Sequence, residues 1–168
     1  MWWRWWWWFV LALGVVAVDG GVDEEQRPIS VAVLLPIDDD RRPFSAVRLR
    51  PAVDLAQRRA TTELLAGRRL AVSYRDSRCS EVHGINEAIN CFVRGPPNVY
   101  LGPTCDYAAA PVARQTYFWN IPVVSVGALD RDFLVSRRVK YPLLTRAGPV
   151  NLVGLANAIL EAVRALGK

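Results

Sequence analysis

An alternation decides what this chain can fold into. From Ile29 onward, short apolar and β-branched runs are each followed by a stretch whose apolar residues recur at helical spacing. Ile29–Leu35 (ISVAVLL) is almost continuously apolar and stops at Pro36, the pattern of a strand buried on both faces. Pro51 then fits the first turn of a helix in which Val53, Ala56, Ala60 and Leu64 share a face until Gly67 ends it. Residues 70–74 read as a second strand. Residues 81–92 read as a helix with Val82, Ile85 and Ile89 on one stripe. A third strand at 99–101 is cut off by Gly102-Pro103, and a helix over 107–119 follows, with Asp106 as its N-cap and Pro111 close enough to its start to be tolerated. Residues 121–125 form a fourth strand and 141–145 a weaker fifth. A last helix over 151–166 carries Leu152, Leu155, Ile159 and Val163 on one face. Such alternation builds βαβ units with right-handed crossovers. The fold class is therefore α/β, an open doubly wound parallel sheet covered on both faces. A length of 168 residues and four or five strands favour a flavodoxin-like lobe over a full dinucleotide-binding fold.

The N-terminus speaks to compartment. Arg4 sits inside a run of tryptophans, and an apolar stretch continues to Val18 before small residues and Asp23-Glu24-Glu25. This order predicts a signal peptide over residues 1–20, cleaved after Ala17 or Gly20, and hence entry into the secretory pathway. An uncleaved anchor is the alternative, though the run is shorter than the ~20 residues a spanning helix needs. Export favours pairing of two of the three cysteines, Cys79, Cys91 and Cys105, leaving one over. The net charge of +5 is modest, and the arginine pairs at 41–42, 58–59, 68–69 and 137–138 lie dispersed among acidic residues. A nucleic-acid partner is not expected.

Ligands of open parallel sheets bind outside the carboxyl ends of the strands. Four segments rich in polar and turn residues fall there, at 36–40, 76–79, 102–107 and 125–127. Cys79 and Cys105 both lie on this rim, whereas Cys91 ends an intervening helix. A Cys79–Cys105 bridge joins two loops of one edge, but those loops must lean across the first strand if it lies between the second and third. Three reduced thiols are the other reading. The Gly102-Pro103-Thr104-Cys105 turn enters a helix N-terminus and can offer N–H groups to an anion, or can simply be a tight connection. Catalytic machinery is thin. His83 is the one histidine, no phosphate loop, zinc-protease or serine-hydrolase motif occurs, and the Asp38–Asp39–Asp40 run reads as a solvated loop rather than a metal site. Neither an enzyme nor a metal or organic cofactor is expected.

Several blocks carry a resemblance: residues 31–36 (VAVLLP), 48–53 (RLRPAV), 74–79 (YRDSRC), 101–114 (LGPTCDYAAAPVAR), 119–122, 125–128 and 144–149. Together they resemble the extracellular ligand-binding domain of natriuretic peptide receptors, in register over about residues 29 to 160, with 74–79 most like the clearance-type receptor rather than the guanylate-cyclase-linked ones. The resemblance implies a type I periplasmic-binding-protein fold, with residues 28–168 as the N-terminal lobe of two, truncated here. It further implies a peptide hormone bound at a dimer interface, a homodimer in the full-length receptor, and a position on the extracellular side of the plasma membrane, or secretion if the chain is complete. By motif match Tyr107 and Arg114 face the hormone, with Glu81 a further acidic contact. Cys79–Cys105 becomes the family's first disulfide. A chloride ion is held by the backbone N–H groups of Thr104 and Cys105, with Ser77 completing the site. Gln115–Phe118 departs from the family stretch that contributes to dimerisation. Two alternatives stand beside this reading. An amino-acid-binding ectodomain of the same fold is disfavoured because Ala108-Ala109-Ala110 offers few polar groups, and a flavodoxin-like enzyme because the acidic 36–40 loop repels phosphate.

Overall fold

A computed structural model describes residues 27–39, 41–148 and 152–167, so the expected signal peptide over residues 1–20 lies outside the described residues. In chain order the elements are β1 (Ile29–Leu35), α1 (Ala46–Arg59) running into a π-helical turn (Ala60–Leu64), β2 (Leu70–Asp76), α2 (Glu81–Arg94), β3 (Val99–Leu101), α3 (Asp106–Phe118), β4 (Val123–Ser125), the short α4 (Asp132–Val135) and α5 (Arg137–Lys140), β5 (Leu144–Arg146) and α6 (Leu152–Leu166). All four pairings are parallel and the strand order is β2-β1-β3-β4-β5. That is the flavodoxin-like order expected from the sequence.

Successive residues of β1 point to opposite faces and build two cores. Ala32 and Leu34 join Tyr100, Val123 and Leu144 under α2 and α3, which contribute Ala88, Cys91, Ala109, Val112 and Ala113. The buried Tyr100 hydroxyl donates to the Ala88 carbonyl at 2.8 Å, tying β3 to α2. Val33 and Leu35 face the other way, toward Ala46, Leu49 and Val53 of α1.

Where local expectations were off, packing gives the reason. Helix α1 begins at Ala46, ahead of Pro51, which sits inside it, and Leu64 at the end of the expected stripe is 79% exposed. On α2 the buried residues are Gly84, Ala88 and Cys91, whereas Val82 and Ile89 are exposed and Ile85 is part-buried. The helices α2 and α3 approach so closely that a Cβ at Gly84 would lie 3.1 Å from the Ala108 Cβ. Close approach selects the small-residue stripe and turns the larger one outward. Cys105, not Asp106, caps α3, and Pro111 lies inside that helix. The fifth strand starts at Leu144, and the expected face of α6 is uncovered, with no buried residue anywhere on that helix.

Candidate functional site

Because every strand runs the same way, the loops after β1, β2, β3 and β4 gather at one edge of the sheet. The loop after β2 leans over the end of β1, where the Ser77 N–H donates to the Leu35 carbonyl at 3.0 Å. The Asp76 carboxylate fixes this turn by accepting from the N–H groups of Ile37 at 3.1 Å and Arg78 at 2.9 Å. Arg78 and Cys79 both adopt left-handed backbone, with φ of 48° and 52°, which swings Cys79 across β1. There it bonds Cys105, with a Cα–Cα distance of 5.4 Å. The leaning required by the strand order is thus real. Cys91 is the free, buried thiol, and it accepts a contact from Arg75 Nε at 3.2 Å.

Beneath the bridge, Ser77 is fully buried and its hydroxyl lies 3.5 Å from the Cys79 nitrogen. Thr104 is buried too, and its hydroxyl has no hydrogen-bond partner among the described residues. Neither the Thr104 nor the Cys105 N–H donates to a backbone carbonyl among the described residues. Both precede α3, whose N-terminus carries positive partial charge. Buried neutral donors at the positive end of a helix suit a small anion. The neighbouring loop holds this one in place. Ser125 Oγ donates to the Pro103 carbonyl at 2.6 Å and accepts from the Gly127 N–H at 3.1 Å. Gly127 passes so near that a Cβ there would overlap the Thr104 carbonyl oxygen.

A second region opens beside the N-termini of α2 and α3. Glu81 and Tyr107 share a cavity of about 380 Å³ with Asp106, Asp130, Phe133 and Tyr141. Tyr107 is 82% exposed, so packing does not account for its ring. Arg114 lies on the exposed side of α3, and its charge acts on Tyr141 in the cavity wall. Glu81 and Tyr107 therefore line one cavity and Arg114 lies further along α3 on its exposed side, while Ser77 and Thr104 are buried next to the two cysteines of the bridge.

Sequence reasoning missed what builds the cavity. The Asp106 carboxylate leaves its own helix and accepts from the N–H groups of Leu129 at 2.9 Å and Asp130 at 3.0 Å. Asp132 accepts from the Ser136 hydroxyl at 2.6 Å, from Lys140 Nζ at 2.9 Å and from the Tyr141 hydroxyl at 2.8 Å. These donors, Ser136 first, hold its carboxyl down to about 2. Burial and then the Asp132 hydrogen bond push the Tyr141 hydroxyl up. The Asp130–Asp132 stretch carried only a polar signal, since Ser136, Lys140 and Tyr141 lie in and around two helices too short to show a period.

Among the described residues no group of three or more His, Cys, Asp or Glu side chains could hold a metal ion, and no helix is long and apolar enough to cross a membrane.

With this geometry in hand, comparison with known proteins is decisive. Residues 48–167 match the family model described as "Receptor family ligand binding region". The chain belongs to that family. It is 40% identical over 131 residues to atrial natriuretic peptide receptor 3 of Bos taurus, covering 73% of this chain and 24% of the relative. It is 34% identical over 140 residues to atrial natriuretic peptide receptor 2 of Rattus norvegicus, covering 83% of this chain and 13% of the relative. The chain thus spans under a quarter of the length of these relatives. Among solved structures, an ABC transporter substrate-binding protein from Sphaerobacter thermophilus superposes with a TM-score of 0.62 at 22% identity, over 71% of this chain and 32% of that one. That likeness is one of fold, and it agrees with the periplasmic-binding-protein-like lobe expected above.

Proposed function

We propose that this receptor-family lobe forms part of the extracellular binding surface for a natriuretic-type peptide hormone, and that it acts by binding rather than by catalysis. The observation that carries the reading is the meeting of Glu81 and Tyr107 on one cavity with Arg114 alongside, on a surface that leaves the Tyr107 ring in solvent. A large aromatic ring, an arginine and a carboxylate are suited to anchor a partly apolar peptide that presents an acidic group to Arg114 and a basic one to Glu81. The protein works as a homodimer through the outer side of α2 and α3, where Val93, Tyr117 and the 83%-exposed Phe118 stand out of the surface. Photo-cross-linking tests the ligand. With a benzophenone side chain at position 107, radiolabelled atrial natriuretic peptide is captured, and Arg114→Glu lowers capture by about tenfold. Equal capture from position 64, on the exposed end of α1, defeats the assignment.

Beneath the bridge the residues fit a chloride ion. Ser77 Oγ and the N–H groups of Thr104 and Cys105 would hold it, and the Thr104 hydroxyl is a buried polar group that protein atoms among the described residues leave unsatisfied. The ion supplies charge there and fixes the loop that presents Tyr107. Replacing gluconate by chloride raises the melting temperature, and Ser77→Ala removes most of that rise. A melting temperature indifferent to chloride in the parent protein rules the site out.

A further inference from the structure

Two of the arginine pairs that lie apart in the sequence come together in the fold. Helix α1 ends with Arg58 and Arg59 in its last turn, and the π-helical turn carries the chain on to a tight reversal at Ala66 and Gly67, both with left-handed backbone (φ 48° and 88°). The Gly67 N–H closes the reversal on the Thr61 carbonyl at 3.3 Å, and the Arg68 N–H donates to the Leu65 carbonyl at 2.9 Å. Arg68 and Arg69 follow and lead directly into β2. Gln57 Nε2 donates to the Leu70 carbonyl at 2.7 Å, which ties the end of α1 to the start of that strand. Arg27 joins from the segment before β1. Arg68 Nη2 donates to its carbonyl at 3.2 Å, and the Ile29 N–H donates to the Arg69 carbonyl at 2.9 Å. Three segments thus set Arg27, Arg58, Arg59, Arg68 and Arg69 around one end of α1.

Across residues 55–71 Glu63 is the one acid. Arg27, Arg58, Arg59 and Arg69 are exposed, and none of the ion pairs among the described residues includes them. Arg58 Nε reaches a carbonyl of its own helix, that of Asp54, at 3.4 Å. The negative pole of α1 accounts for Arg58 and Arg59. Arg27 and Arg69 lie outside the helix, and the pole gives no reason for them. A guanidinium is well hydrated, so this surface, unlike an apolar face, needs no cover; what it lacks is counter-charge. Cations gathered in this way repel one another and draw in a polyanion that neutralises several at once. All of them are arginines, whose planar fork of donors grips the oxygens of a sulfate or phosphate in pairs. Residues 55–71 include no aromatic ring on which a base could stack, which disfavours single-stranded nucleic acid. We propose that this end of α1 is a docking surface for a sulfated polysaccharide of the heparin type. The choice of polyanion rests on the extracellular placement in the reading above, where sulfated glycans abound, and not on the peptide.

Titration calorimetry of the full chain with a heparin octasaccharide finds saturable binding, and the same sugar stripped of its sulfates binds about tenfold more weakly or worse. Arg59→Gln together with Arg69→Gln weakens the octasaccharide by about tenfold and flattens the salt dependence of its affinity. Arg137→Gln with Arg138→Gln removes the same charge from the exposed α5 and changes the affinity by less than about twofold. Circular dichroism checks that each variant is folded. A parent chain that does not bind, an equal loss from both double variants, or duplex DNA binding as tightly as the octasaccharide overturns the proposal. The peptide reading fails separately, in the cross-linking from position 107, and that result leaves octasaccharide binding unchanged.

Discussion

Asp132 shows how much one side chain of a short helix can organise. It gathers donors from Ser136, Lys140 and Tyr141, binding α4 to α5 and to the chain just before β5. Its carboxyl is held down to about 2 from an ordinary 3.8, so the folded state prefers the ionised form. The sign follows from that preference. The stabilisation is fully present above the unfolded value and disappears as pH falls through the folded one. Asp132→Asn should therefore melt below the parent at about pH 5, with the gap closing as pH approaches about 2. Melting curves that stay parallel over this range remove Asp132 from the account. Little of this was legible beforehand, because the partners of Asp132 are set by tertiary structure. The placement of Thr104, Cys105, Tyr107 and Arg114 was legible, since they fall in one contiguous motif that runs from the loop after β3 into α3.

At the level of elements, the seam between α2 and α3 is a close contact of the buried layer. Gly84 meets Ala108 there, with Ala88, Cys91, Ala109 and Val112 on either side. Gly84→Leu must push the helices apart and should cost about 1–3 kcal/mol in chemical denaturation, with Glu81 and Tyr107 displaced from each other. A variant as stable as the parent refutes the close seam. The extents of β1, β3 and α3 were readable from apolar runs and their Gly-Pro stops. The inward faces of α1 and α2 were not. A stripe of large residues is the usual sign of burial, but between helices this close only small side chains fit, so Val82 and Ile89 turn outward. On α6 the apolar stripe is present at the expected positions, and among the described residues it stays exposed.

Across the whole molecule, the gathering of loops on one edge follows from alternation and handedness, whereas the flavodoxin-like sheet order was read from length and strand count. The bridge across that edge is the molecule's long-range covalent tie, and it closes a segment of 26 residues. In the loop-entropy account it is worth about 3 kcal/mol, and replacing both Cys79 and Cys105 by alanine should lower the unfolding free energy by about that amount. Urea titration of oxidised parent and double variant decides it, and coincident curves would mean the bridge leaves stability unchanged. The pairing itself was open on residues alone, because Cys91 lies between the two in sequence and is set apart by its burial on α2.

In sheets of this winding the crevice between the first and third strands, where the order reverses, is the usual berth for nucleotides and other large cofactors. Here sulfur roofs it: the β2 loop folds over the end of β1 and is locked to the mouth of α3. Beneath that roof Ser77 and Thr104 are both buried. The edge is tied shut by a covalent clasp, and the exposed Tyr107 ring stands just beyond it at the start of α3.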